Sequence, residues 1–189
     1  MKPQIIGLYS PSPGCGKSTI AEYLHCYNFK TVSFARPLKL MTRVLLSQLG
    51  YPQELIQRFL IEQKEDRIPN IGVSARHILR TLGTEWGRDC VHPEVWLMCW
   101  RVSVDRHIRN GHHVVCDDVR FPNEADLIRQ TGGALWRIDR PQPEPDSTHR
   151  SDGNLNDYSF DQVLENDSTV LDLYEKVDHL ISPENVLVA

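Results

Sequence analysis

Gln4–Thr19, QIIGLYSPSPGCGKST, decides the fold. The run from Gln4 to Tyr9 is apolar, ends in turn residues and reads as a buried strand. Ser10 to Gly16 is a loop of Pro, Gly and Ser. From Lys17 onward, Ile20, Ala21 and Leu24 recur on one face of a helix. A strand, a glycine-rich loop and a helix, in that order, form the setting in which G-K-S-T grips phosphate. Gly14 and Gly16 let successive amides, Cys15's among them, turn inward around an anion. The helix start adds its positive dipole end. Lys17 is in reach of β- and γ-phosphates, the Ser18 hydroxyl can ligate Mg²⁺, and Thr19 can meet an α-phosphate. One position departs from the full pattern G-x-x-x-x-G-K-[ST]. Pro11 replaces the first glycine; its fixed φ and missing N–H require a different first turn.

Outward from this stretch, strands alternate with helices. Strands are expected at Lys30–Phe34, Val114–Cys116, Ala134–Ile138 and Phe160–Leu164. Helices are expected at Pro37–Leu49, Pro52–Leu60, Ser74–Leu82, Pro93–Asn110, Asn123–Thr131 and Val170–Leu180, with Ser74 as a cap and Gly83 and Gly111 as stops. Trp96, Trp100 and Val104 fall at i, i+4, the spacing of a packed helix face. The alternation predicts an α/β fold: a parallel sheet of about five strands, helices on both faces and right-handed crossovers. Residues 139–158 are rich in Pro, Asp, Ser and Asn without apolar periodicity, and read as a loop or closing lid.

The chain has 189 residues, enough for one core with an inserted lid. Its net charge is −4, so no global basic field draws nucleic acid or an anionic membrane, and cations must be concentrated locally. Apolar runs are too short to span a bilayer, and no signal peptide is read at the amino terminus. Five cysteines without a C-x-x-C pair, and eight histidines without a ligand spacing, argue against a disulfide framework or structural zinc and for a reducing cytoplasm.

Two further groups carry chemistry. VVCDD puts Asp117 and Asp118 at the end of a buried strand, where a carboxylate can hold Mg²⁺ through water. Only one is needed, and Asp118 is the preferred candidate; capping of the next turn is the other use for such acids. In SARHILRTLGTEWGRD, Arg76 and Arg80 lie at i, i+4 and Arg88 follows. Clustered guanidiniums suit a second phosphate. Trp86 could stack a base and Glu85 accept from its amino group; a solvated basic helix with Trp86 in the core is the competing reading.

RTLGTEWGRD, DDVRFPNEAD, GGALWRIDRP, HRSD and LENDST together resemble the deoxynucleoside monophosphate kinases of tailed bacteriophages, from about Ile5 to Leu180. The pairing of L-G-T-E-x-G-R with D-V-R-F-x-N-E carries the resemblance; the phosphate loop alone is general. It implies a P-loop NTPase three-layer sandwich in one domain over 1–189, with a monophosphate-binding helical region at about 36–92. It implies transfer of the ATP γ-phosphoryl group to a deoxynucleoside monophosphate, with Mg²⁺, in the cytoplasm (a host's, for a phage-encoded chain). Gly14, Cys15, Gly16, Lys17, Ser18 and Thr19 would bind ATP, with Ser18 and Asp118 on the metal. Lys17, Asp118 and Arg120 would form the catalytic centre. Arg36, Arg76, Arg80, Glu85, Trp86 and Arg88 would hold the monophosphate, alongside Asp118 and Arg120.

Arg140 and Arg150 are the expected lid cations, closing over ATP to exclude water. Asn166 in Asn166-Asp167-Ser168 would line the adenine edge, or only cap the last helix. No nucleic-acid or membrane partner is expected, and a homodimer is left open. The alternatives are a kinase of another small acceptor, of dephospho-coenzyme or sugar-acid type, and a nucleotide-dependent switch. The N-K-x-D base-reading motif of GTPase switches is absent.

Overall fold

A computed structural model describes residues 4–141, 155 and 158–181. Five strands form one parallel sheet: β1 (Ile5–Tyr9), β2 (Phe29–Thr31), β3 (His113–Cys116), β4 (Ala134–Asp139) and β5 (Gln162–Glu165), in the order β2-β3-β1-β4-β5. The helices are α1 (Lys17–Leu24), α2 (Arg36–Gln48), α3 (Gln53–Ile61), α4 (Ala75–Thr81), α5 (Val95–Arg109), α6 (Pro122–Gln130) and α7 (Val170–Ile181). A 3-10 turn covers His25–Tyr27, and a π-helix runs over Leu82–Val91.

The chain divides into two compact units, one made of residues up to Ser33 and from Ser103 onward, the other of Phe34–Val102. In the first, side chains alternate across the sheet. Ile6, Leu8, Trp136, Ile138 and Leu164 pack with Ile20 and Leu24 of α1 and Leu173 and Val177 of α7. The opposite face meets α6. There Gly7 has no room for a side chain: a Cβ would lie 2.6 Å from Ile128 Cδ1 and 2.9 Å from Leu135. Helices on both faces make three layers, as expected. Tyr23 stacks on Tyr174 at 3.9 Å and donates to Asp178 at 2.8 Å, binding α1 to α7.

In the second unit, Leu46 of α2, Ile56, Phe59 and Leu60 of α3, and Ala75 and Ile78 of α4 share a core with Ile68. Trp96 and Trp100 are buried, Trp100 against Phe34 at 5.0 Å, so this pair packs the interior as its spacing predicts. No helix among the described residues is long and apolar enough to cross a membrane.

Three expectations are corrected. β2 is Phe29–Thr31, not Lys30–Phe34: Val32 and Phe34 are buried, but the ladder ends at Thr31 and Val32 makes one last bond to Val115. β5 begins at Gln162, not Phe160, because Phe160 stacks on Tyr9 at 5.3 Å and the Asp161 carboxylate caps the Leu135 amide at 2.7 Å. Gly83 does not stop α4. The helix widens there and continues for ten residues.

Candidate active site

β1 lies at the centre of the sheet, with its neighbours β3 and β4 reached by different crossovers. The crevice beyond the carboxyl ends of such strands is where open α/β sheets bind ligands. The loop leaving β1 enters that crevice. Gly14 (φ 76°) and Gly16 (φ 104°) are both in the left-handed region that favours glycine. Gly16 caps α1, so the free amides of its first turn face the loop.

The Asn166 side chain, buried after β5, donates from Nδ2 to the Cys15 carbonyl at 3.0 Å. A Cβ on Gly16 would lie 2.7 Å from that same nitrogen. Asn166 therefore ties the loop to the segment after β5, a contact the sequence did not show. Its own backbone amide donates to the Asp139 carbonyl at 2.7 Å, which anchors it to β4. Arg140, exposed at the end of β4, reaches the Gly14 carbonyl at 3.4 Å.

Lys17 donates from Nζ to the Ser10 hydroxyl, which itself donates to the Ser12 carbonyl at 2.7 Å. The Ser10–Ser12 bond spans Pro11, the residue that departs from the full loop pattern. Burial pushes the Lys17 pKa down, and the Arg120 charge pushes it the same way; Cys15, Asp117 and Asp118 pull it up.

Asp117 accepts from the Ser33 hydroxyl at 2.6 Å, and Asp118 accepts from the buried Cys116 thiol at 3.4 Å. Burial and then the Asp118 charge push the Cys116 pKa well up, so the thiol stays protonated and able to donate. Ser18 is exposed in the first turn of α1. Its hydroxyl and the two carboxylates are hard oxygen donors of the kind Mg²⁺ takes. Arg120 follows on the exposed connection to α6. Its amide and that of Phe121 donate to the buried Glu124 carboxylate at 2.8 and 3.2 Å, which fixes the backbone carrying the arginine. Glu124 is another residue that sequence reasoning missed, although a Glu at the third helical position is a capping signal.

A cavity of about 240 Å³ is lined by Gly14 to Thr19 with Arg140, Asn166, Ser168 and Val170. A larger hollow of about 410 Å³ lies against Pro11, Asp139, Glu165 and Asp167. Arg140 lines both hollows.

The remaining candidates lie in the Phe34–Val102 unit. Arg36 is exposed at the first position of α2. A cation there opposes the helix dipole, so it does not serve the helix. Arg76 is exposed and pairs with Glu65. Arg80 is exposed. Glu85 and Trp86 stand on the outer side of the π-helix, Trp86 43% exposed, which removes it from the core. Arg88 turns Nη1 onto the Gly83 carbonyl at 3.2 Å. Arg150 lies outside the described residues, as does most of the expected lid.

A phosphate loop at the head of a central parallel strand, with acids at the end of the next, defines the class: a P-loop kinase fold. Dephospho-CoA kinase from Campylobacter jejuni shares that fold, with a TM-score of 0.51 at 12% identity over 96% of this chain and 97% of that one. Residues 40–177 match the family described as deoxynucleotide monophosphate kinase. A protein of Acanthamoeba polyphaga mimivirus assigned as a deoxynucleotide monophosphate kinase is 36% identical over 92% of this chain and 93% of its own. The deoxynucleoside-5'-monophosphate kinase of Escherichia phage T5 is 40% identical over 80 residues, 42% of this chain and 30% of that one. The chain belongs to the deoxynucleotide monophosphate kinase family.

Proposed function

We propose that this enzyme moves the γ-phosphoryl group of ATP onto the phosphate of a deoxynucleoside monophosphate, giving the diphosphate and ADP. The observation that carries the reading is the desolvated Lys17, set among loop amides, Arg120 and the Asp117–Asp118 carboxylates, in a chain of this family. The amides of Gly14, Cys15 and Gly16 bind the triphosphate, Lys17 its β- and γ-groups and Thr19 its α-group. Asn166 holds the Cys15 carbonyl and borders the loop cavity that takes ATP. Ser18 directly, and Asp118 through water, would hold Mg²⁺. When bound, the ion offsets charge on the β- and γ-phosphates.

Transfer between two anions is chiefly positioning and neutralisation. Arg120 and Arg140 bring cations to the moving group, and Arg150 is assigned the same task. Arg36 and Arg80 take the acceptor's phosphate, while Arg76 is paired with Glu65. Arg88 secures the π-helix from within, while Glu85 and Trp86 take the base or sugar. The five cysteines are free, which suits the reducing cytoplasm where ATP is made available.

The test is ADP release with each of the four deoxynucleoside monophosphates and their ribose counterparts, with and without Mg²⁺. At least one deoxynucleotide should drive release in a Mg²⁺-dependent way. ATP hydrolysis indifferent to every acceptor would refute the reading. Asp118→Asn should raise the Mg²⁺ concentration needed for half-maximal rate; an unchanged requirement would move the metal role to Asp117.

A further inference from the structure

We infer that Trp96 is a positioning residue for the acceptor site, its indole holding the Leu82–Val91 π-helix in the register that presents Glu85 and Trp86. The inference rests on the reading that those two residues meet the monophosphate. A π-helix is rare, and most occurrences are single turns at functional sites. Ten residues in this form need a specific restraint. The His92 amide still reaches back five residues to Gly87 at 2.9 Å, so the wide register runs to the end of the element.

Trp96 supplies the restraint twice. Its Nε1–H donates to the Gly83 carbonyl at 2.8 Å, a bond buried from solvent, and Arg88 closes on the same oxygen. Its ring also fills the space beside Gly87. A Cβ on Gly87 would meet Trp96 Cε2 at 2.6 Å and Nε1 at 2.7 Å, so only glycine allows the ring to lie there. Both glycines of the L-G-T-E-x-G-R motif thus answer to one indole thirteen residues from the first of them. Trp96 is 4% exposed and its ring lies 6.2 Å from that of Trp86, behind the face that the ligand would meet. Collapse to the tighter α register would change which side chains the segment turns outward.

The experiment is Trp96→Phe in the full chain, which keeps an aromatic ring and deletes the N–H donor. KM for the preferred deoxynucleoside monophosphate should rise about tenfold, the size of one lost buried hydrogen bond, while KM for ATP stays within about twofold. Gly87→Ala, which displaces the indole without removing it, should show the same split and serves if the first variant does not fold. A Trp96→Phe variant with both KM values unchanged, its apparent kcat falling only in step with the folded fraction, overturns the inference. Trp86→Ala run in parallel separates the two levels. If it raises the acceptor KM while Trp96→Phe is silent, only the inference fails; if both are silent, the acceptor assignment fails with it.

Discussion

Lys17 is the residue on which the proposed chemistry turns. Burial depresses its pKa, so in the window between the lowered value and 10.5 the unfolded chain binds more protons, and stability rises with pH there. At neutral pH the charged ammonium is held at a cost that a polyphosphate removes. Lys17→Met should therefore leave the melting temperature of the ligand-free enzyme no lower at pH 7, while cutting kcat by about 10²–10³-fold, the scale of a lost electrostatic contact to the transition state. Saturating Mg·ATP should raise the wild-type melting point by several degrees, since about 100-fold excess over Kd contributes about 2.7 kcal/mol. The variant should lose that increment. Thermal melts with and without nucleotide, beside a rate assay, check all three; a retained increment would take Lys17 out of the phosphate site. Gly16 makes the companion case. Gly16→Ala meets both a φ of 104° and the Asn166 amide, so it should abolish nucleotide-induced stabilisation even if the chain folds.

The elements explain what could be read from the sequence and what could not. The β1–loop–α1 unit was legible because a buried strand, glycines and a helix stripe are all local signals. The end of β3 ahead of Asp117 and Asp118 is legible for the same reason, as is the burial of Trp96. Strand edges were not. Apolar residues such as Val32 and Phe160 report packing, whereas pairing depends on partners far along the chain. The π-helix was missed because Gly83 looks like a helix stop, yet its role is fixed by Trp96, distant in sequence and visible only in three dimensions. Glu124 shows the same limit. Its carboxylate closes the amides of Arg120 and Phe121, and a buried polar group without its partner costs about 1–3 kcal/mol. Glu124→Ala should lower the melting temperature by several degrees and also depress kcat, because Arg120 rides on that backbone. Glu124→Gln, which keeps an acceptor oxygen, should restore most of both; equal damage from the two variants would detach Glu124 from Arg120.

Across the whole molecule, charge is divided unevenly between the two units. Phe34–Val102 contains ten lysines and arginines against seven aspartates and glutamates, a net +3 in a chain of −4. The cations that an acidic protein needs for anionic ligands are thus gathered in the unit assigned to the acceptor. They differ from Lys17 in exposure: Arg36 and Arg80 are solvated, while Lys17 is desolvated. Salt screens exposed charges strongly and partly buried ones weakly. Arg80→Ala should raise the acceptor KM about tenfold or more at low ionic strength, the range of a lost charge-assisted contact, leave the ATP KM unchanged, and shrink toward a small effect near 0.5 M salt, where the Debye length is about 4–5 Å. The Lys17→Met defect should persist at that salt. Steady-state kinetics of both variants over an ionic-strength series decide the matter: an Arg80 defect insensitive to salt would mean that the guanidinium is enclosed when substrate binds, and a Lys17 defect that fades with salt would contradict a desolvated ammonium at the phosphate loop.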